Sequence, residues 1–340
     1  MKRIRVKILS KEQPQLFQNW ADQYYQKKER LVGKSQRDSL LLAFKYLSPL
    51  SGKPIDRITE EDCSQILDRM YLQGYHKRTI QLARITGKAV FDLAISHGAV
   101  LSNPMAKVRI NSKAVTKKIE PITEQEEQLL WSPPFLSAEN RLDQNRTERF
   151  AFIRLWALIQ LSCGLRKEET GALEWKDVSL SARQIHICQA YNYKTNEIKA
   201  PKTEAGNRYI GIPERLEKEL TAWQQLHPGE RYVFELNGRP ITQSQFRRLW
   251  QVLMDGINGY TISEKISMGY QNKELRYRYY FTSHQLRHTF ATNALDAGLN
   301  LRILQYLMGH ETPEMTLKYT HVSRRNVLAE IEKIEKTKSA

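Results

Sequence analysis

A mainly α-helical fold of two domains with a small antiparallel sheet (α+β) is what this sequence predicts, on three observations. Apolar residues recur at helical spacing through the first hundred residues. A lysine-rich stretch with no leucine and no aromatic residue, residues 107–121, then interrupts the pattern. After it, two short alternating segments stand among further helical runs. With 340 residues, the chain is long enough for each of two domains to bury its own core.

In chain order, Phe17, Trp20, Ala21, Tyr24 and Tyr25 mark a first helix and Leu40, Leu41, Phe44 and Leu47 a second. Pro49 to Pro54, with Gly52, is a break. Thr59 followed by Glu60, Glu61 and Asp62 is an N-cap with acids in the first turn, opening a third helix through Ile66, Met70 and Leu72 that Gly74 stops. A fourth runs from Lys77 to Ser96 and buries Ile80, Ala83, Ile85, Ala89, Val90 and Leu93; Gly98 and Asn103-Pro104 close it. The domain assignment is therefore a helical unit over 1–106, a basic linker over 107–121 and a second domain over 122–322, with a terminal helix or tail over 323–340. In the second domain Thr123 caps a helix, and Phe150 to Cys163 is a strongly apolar helix ended by Gly164. Gln184 to Cys188 and Arg208 to Ile212 alternate as strands, and helices return from Pro213. Residues 258–281 read as irregular, with room for a short hairpin.

Composition narrows the function classes. The chain is 41% hydrophobic and has no apolar run of membrane-spanning length. Its basic start lacks the apolar stretch and small-residue cleavage site of a signal peptide, so a cytoplasmic location and no membrane partner are expected. Cys63, Cys163 and Cys188 form no CxxC pair and have no histidine at zinc-finger spacing; they read as reduced thiols, and no metal or cofactor is expected. The formal net charge of +16 favours a polyanionic partner.

The chemistry lies in a set of spaced residues. Gly164-Leu165-Arg166 is followed by Glu169, then come Lys202, His284-Gln-Leu-Arg287, Gly309-His310 and Tyr319. In this order, with Leu173 to Val178 after the first arginine and Thr289-Phe290-Ala291-Thr292 after His288, the pattern resembles the tyrosine recombinases, or phage-type integrases. The resemblance spans roughly residues 120–325, and the helices before it are similar, less specifically, to that family's core-binding domain. It implies a helical core-binding domain and a catalytic domain clamping duplex DNA, and site-specific recombination through a 3′-phosphotyrosine for integration or excision of a mobile element. It also implies a homo-tetramer on DNA, with an accessory or directionality factor in some systems. The core-binding helices begin near residue 12, so a preceding arm-site module is not expected.

The residue types suit that reaction on their own terms. Attack of a side chain on a phosphodiester builds negative charge on the phosphoryl oxygens. Guanidinium groups match those oxygens with a planar fork of donors and stay charged, which assigns Arg166 and Arg287 as clamps. His284 and His310 add donors, and loss of one such group typically costs roughly 3–4 kcal/mol of transition-state stabilisation. A neutral phenol is a poor nucleophile: with a reference pKa of about 10, ionisation at pH 7 costs roughly 4 kcal/mol. The resemblance makes Tyr319 the nucleophile, with His284 the candidate base, and gives Lys202 the proton for the leaving 5′ oxygen. Glu169, three residues after Arg166, has the secondary role of positioning the cations.

Three other classes are weighed against this one. A type IB topoisomerase would share the tyrosine chemistry but reseal the same strand, a non-catalytic sequence-specific DNA-binding protein would leave the Arg–His–Tyr set without purpose, and a metal-dependent nuclease would need clustered carboxylates. Residues 293–310 also have the outline of a helix-turn-helix, though within this set they more simply carry His310. Candidate DNA contacts in the first domain are Lys34, Arg37, Lys77, Arg78, Arg84 and Lys88. The tail beyond Val322 is a candidate for docking on a neighbouring subunit.

Overall fold

A computed structural model describes residues 15–116, 119–134, 144–201, 203–259 and 277–319. The chain divides into two compact units, residues 1–118 and 119–340.

The first unit is built from α1 (Phe17–Glu29), α2 (Lys34–Leu47), α3 (Glu60–Leu72) and α4 (Lys77–Ser96). The expected cap of α3 forms: the Thr59 hydroxyl accepts from the Asp62 amide at 3.2 Å and the Asp62 carboxylate accepts from the Thr59 amide at 3.0 Å. Phe17, Leu47, Met70, Ile80, Val90 and Phe91 meet in the core. Three positions of the expected apolar stripes fall outside it, since Leu72 is 81%, Ile85 54% and Leu41 51% exposed. At about 100° per residue Ile85 lies roughly 140° around α4 from Ile80, off the face that Ile80, Ala83, Gly87 and Ala94 bury. The stretch read as a linker is packed over part of its length. Val108 and Ala114 join this core, and the Lys77 amide donates to the Val115 carbonyl at 2.9 Å. A lysine-rich composition concealed two small apolar anchors.

In the second unit α5 (Glu124–Trp131) and α6 (Gln144–Cys163) are followed by the one-turn α7 (Lys167–Thr170). Strands β1 (Val178–Ser179), β2 (Gln184–Ile187) and β5 (Arg208–Gly211) form an antiparallel sheet in the order β1-β2-β5, while β3 (Ala190–Asn192) and β4 (Glu197–Lys199) pair as a hairpin. Helix α8 (Glu214–Leu226), the small pair β6 (Glu235–Leu236) and β7 (Arg239–Pro240), and α9 (Gln243–Ile257) come next. Helices α10 (Ser283–Asp296), α11 (Leu301–Met308) and α12 (Pro313–Leu317) end the described chain. Helix α6 is central: Phe150, Ile153, Trp156, Ala157, Leu158 and Ile159 are all buried, consistent with its near-continuous apolar sequence. Of the irregular stretch, Tyr277 is buried and donates its hydroxyl to Asp255 at 2.7 Å, and Tyr279 and Tyr280 pack on the core edge. Lys202, residues 260–276 and the 323–340 tail lie outside the described residues.

Candidate active site

Gly164, which ends α6, adopts φ +65°, and a Cβ there would come within 2.3 Å of the Phe290 ring on α10. The glycine therefore serves two needs, a left-handed helix terminus and close approach of α10. Gly164→Ala should destabilise the second unit by about 2–4 kcal/mol, the sum of left-handed strain and overpacking, read as a lower urea midpoint. An unchanged midpoint would show that Phe290 moves aside freely.

Arg166 follows two residues on, in extended conformation, as the cap residue of α7. Glu169 is at the third position of that turn. Its carboxylate accepts from the Arg166 amide at 2.8 Å and from Arg166 Nη1 at 2.7 Å. The pair is thus a helix-start arrangement, one residue capping the turn in which the other sits. Arg166 Nη2 then reaches 143 positions along the chain to donate to the Gly309 carbonyl at 2.7 Å.

Helix α10 is started by Thr282, whose hydroxyl takes the Gln285 amide. This puts His284 in the first turn and Arg287 one turn further, 4% exposed. Arg287 Nη1 donates to the Gly164 carbonyl at 2.6 Å, and Nη2 donates to the Met308 carbonyl and faces His310 Nε2 at 3.2 Å. Both guanidinium groups are therefore fixed by carbonyls at the ends of α6 and α11. Gly309, at φ +57°, caps α11, and a Cβ there would lie 2.8 Å from Arg208 Nη1.

His310 is held on both sides. A guanidinium has only donors, so Nε2 at 3.2 Å from Arg287 accepts, and the ring proton sits on Nδ1, which donates to the Thr316 hydroxyl at 2.9 Å. Burial and the charges of Arg287, Arg166 and Arg208 push this imidazole down to about 4. Thr316 is itself fully buried, and its carbonyl accepts from the Tyr319 amide at 3.0 Å. Removing that hydroxyl with Thr316→Val leaves the buried Nδ1–H without its acceptor and should cost about 1–3 kcal/mol of stability, read as a lower urea midpoint. Thr316→Ser should restore the midpoint. An unchanged midpoint in the valine variant would show that Nδ1–H finds another acceptor.

Tyr319 is half-buried against Ala291, Leu304 and Met308. Its ring lies parallel to His310 at 6.0 Å between centroids and 4.9 Å from the ring of His288. His284 stays exposed at the rim, and desolvation by its neighbours together with the Arg287 charge lowers its basicity. His288, which appears in the sequence only as the residue before Thr289, is brought by the fold into ring contact with the tyrosine, nearer than His310.

One member of the cluster escaped the motif reading. Arg208, on β5, has a side chain with 0% exposure. Its Nη1 and Nη2 grip Glu169 at 3.0 and 2.9 Å, and its Nε donates to the Leu307 carbonyl at 2.7 Å. In the sequence it marks only the start of an alternating strand. The available signal was an arginine at an inward-facing position of an alternating strand, which demands a buried acid. Burial opposes ionisation of Glu169, but Arg208, then Arg166 and Arg287, outweigh it and hold the carboxyl down to about 2. Burial and the Arg166 charge push Arg287 down to about 9, so it stays a cation at neutral pH. Three guanidiniums against one carboxylate leave the cluster doubly positive, and its one buried carboxylate is fully engaged.

Of the first-unit candidates, Lys34 and Arg78 are exposed and Arg37 and Lys77 half-buried, at the first turns of α2 and α4. Arg84 is taken up internally, donating to the Val108 and Ala106 carbonyls at 2.6 and 3.0 Å, and Lys88 pairs with Asp92 at 2.8 Å. Among the described residues no helix is long and apolar enough to cross a membrane.

Comparison with known proteins agrees with this geometry. The model of the phage integrase family matches residues 139–326, and that of the phage integrase N-terminal SAM-like domain matches residues 34–98. The transposase from transposon Tn916 of Enterococcus faecalis is 29% identical over 300 residues, covering 85% of this chain and 69% of its own. The tyrosine recombinase XerC of Halalkalibacterium halodurans is 26% identical over 259 residues, 75% of each chain. In fold, a Tn1549 transposon integrase in complex with a circular intermediate DNA is similar at TM-score 0.71 and 24% identity, covering 92% of this chain and 99% of that one. With the family model covering more than half of its length, the chain belongs to the phage integrase family and is a tyrosine-type site-specific recombinase.

Proposed function

We propose that this recombinase cleaves and rejoins duplex DNA at the recombination sites of a mobile element, in integration or excision, with Tyr319 as nucleophile. The observation that carries the reading is the convergence of Arg166, Arg287 and His310 on the Gly309 turn beside Tyr319.

Tyr319 Oη attacks the phosphorus, forming a 3′-phosphotyrosyl bond as the 5′ oxygen leaves. Arg166 and Arg287 keep N–H groups that no described acceptor takes, and these clamp the non-bridging oxygens. Positions fixed before substrate arrives need no reorganisation as charge develops. His310, neutral in the free protein, becomes a donor once phosphate charge offsets its guanidinium neighbours. The phenolic proton passes to an imidazole: His284 is the assigned base, and the ring contact of His288 makes it the second candidate. Lys202 protonates the leaving 5′ oxygen. A 5′-hydroxyl from another strand then attacks the phosphotyrosine, restoring the phenol without an external energy source.

Lys34, Arg37, Lys77 and Arg78 approach backbone phosphates. Helices α2 and α4 have no acid in their first turns, and cations there oppose the helix dipole, an arrangement that an anionic partner relieves. Arg84 and Lys88, already partnered, contribute less. The transposon relatives and the DNA-bound fold neighbours support a mobile-element role and duplex DNA as partner. A homo-tetramer would synapse two sites, with an accessory or directionality factor biasing the outcome and the 323–340 tail docking between subunits. The protein acts in the cytoplasm, with no cofactor.

The test is a nicked candidate site incubated with protein in chelator, followed by strand exchange between two marked sites. A covalent adduct and recombinant product are expected. Relaxation of supercoils without exchange would instead indicate a topoisomerase, and loss of cleavage in chelator a metal-dependent nuclease.

A further inference from the structure

The outer face of the three-stranded sheet carries a second cluster of reactive side chains, away from the arginines. Residues 177, 186 and 188 are far from any zinc-finger spacing in sequence, yet strand register gathers them. Val178 pairs with Ile185 and Ser179 with Gln184, so continuing the register sets Asp177 opposite His186. Cys188 lies two residues beyond His186 and shares its face, while Ile185 and Ile187 point into the core at 0% and 2% exposure. One donor atom from each of Asp177, His186 and Cys188 lies within 4.8 Å of the others, and all three are half-buried and reachable from solvent.

We propose that Asp177, His186 and Cys188 form a binding site for a zinc-class divalent cation, with water completing a tetrahedron. A thiolate, an imidazole and a carboxylate suit a borderline-soft metal, and the two anionic ligands neutralise its charge. Coordination replaces the Cys188 S–H bond with an S–Zn bond and releases the proton to solvent.

The surroundings are those of a metal-bound histidine. His186 Nε2 is 2.8 Å from Asn207 Oδ1, an acceptor, so Nε2 carries the proton and Nδ1 presents its lone pair. The ring is also stacked on Tyr209 at 4.4 Å with an 11° interplanar angle, which limits its rotation. The adjacent cations are occupied elsewhere: Lys176 and Arg231 both pair with Glu174, at 2.8 and 3.0 Å. Asn207 is in the segment joining position 202 to β5, so an ion here would tie β1, β2 and that segment together. Such an ion plays no part in the assigned DNA chemistry.

Full-length protein would be dialysed against zinc and its bound metal counted by mass spectrometry, alongside Cys188→Ser and His186→Gln. One zinc per chain is expected for the parent, with at least about tenfold weaker retention in both variants. Cobalt should give a thiolate charge-transfer band that Cys188→Ser abolishes. Far-ultraviolet circular dichroism and DNA cleavage without metal should be unchanged in both variants. No stoichiometric zinc in the parent, or equal uptake by parent and variants through Cys63 or Cys163, would overturn the proposal.

Discussion

Tyr319→Phe is expected to abolish covalent capture of a nicked recombination site while leaving DNA binding intact. The ring is held by Ala291, Leu304 and Met308 on one side and lies near two imidazoles on the other, contacts that phenylalanine keeps. Only the oxygen is lost, so folding stability should change by less than about 1 kcal/mol. Chemistry should fall far more, by at least about 10⁴-fold, because no other group can form the phosphotyrosine. Denaturing electrophoresis of protein–DNA mixtures gives the readout, with gel retardation as the binding control. Tyr306→Phe is the matched comparison. That tyrosine is half exposed and accepts the Tyr209 amide at 3.0 Å, so its loss should leave the adduct unaffected. An adduct persisting in Tyr319→Phe would sink the assignment of the nucleophile.

Arg208→Met should both destabilise the second unit and slow cleavage. A buried ion pair is weak evidence of net stability, but removing one partner leaves the other charged and desolvated, which typically costs about 3–5 kcal/mol. Glu169 retains Arg166 at 2.7 Å and Arg287 at 3.8 Å, which places the expected loss near the lower end. The effect on rate separates positioning from mere folding. Without Arg208, Glu169 is free to draw Arg166 and Arg287 toward itself and away from phosphate. Cleavage by folded protein at saturating DNA should therefore slow about 10²–10³-fold, with little change in DNA affinity. Arg208→Lys, which keeps the charge but not the fork, should recover stability better than rate. Equal DNA-saturated rates in folded parent and methionine variant would reduce Arg208 to a structural bolt.

The same cluster sets an acid dependence of stability. Glu169, held at about 2 against an ordinary 4.5, contributes fully above pH 4.5, and the contribution is lost as pH falls through about 2. His310, held at about 4 against 6.5, is neutral when folded, so the unfolded chain takes up its proton first. Its contribution is complete above pH 6.5 and lost as pH falls toward 4. Urea midpoints should thus decline in two overlapping windows, and His310→Gln should flatten the upper one. A midpoint constant from pH 7 to pH 4 in the parent would refute this account of His310.

Helix starts at Thr59 and Thr123, the apolar α6 and the alternating β2 and β5 were legible because each is a local pattern, set by capping or by periodicity. Ile85 was misplaced because periodicity gives an apolar stripe without saying where its edge falls. Val108 and Ala114 were hidden among lysines, since two small residues are enough to anchor a segment. Arg84 read as a surface cation because nothing local announces that two carbonyls from residues 106 and 108 fold back onto it.

By itself the sequence determined the kind of chemistry: which arginines, histidines and tyrosine are present, their order, and a charge suited to a polyanion. Those are properties of residue types, and they survive without coordinates. Tertiary structure alone decided the partnerships. It joined Arg166 to Gly309 and Arg208 to Glu169, gave His310 its tautomer through Arg287, and set His288 beside Tyr319. It also gathered Asp177, His186 and Cys188 on one face. A buried charge must find its counter-charge or carbonyls wherever packing brings them, and for Arg166 that is 143 residues away.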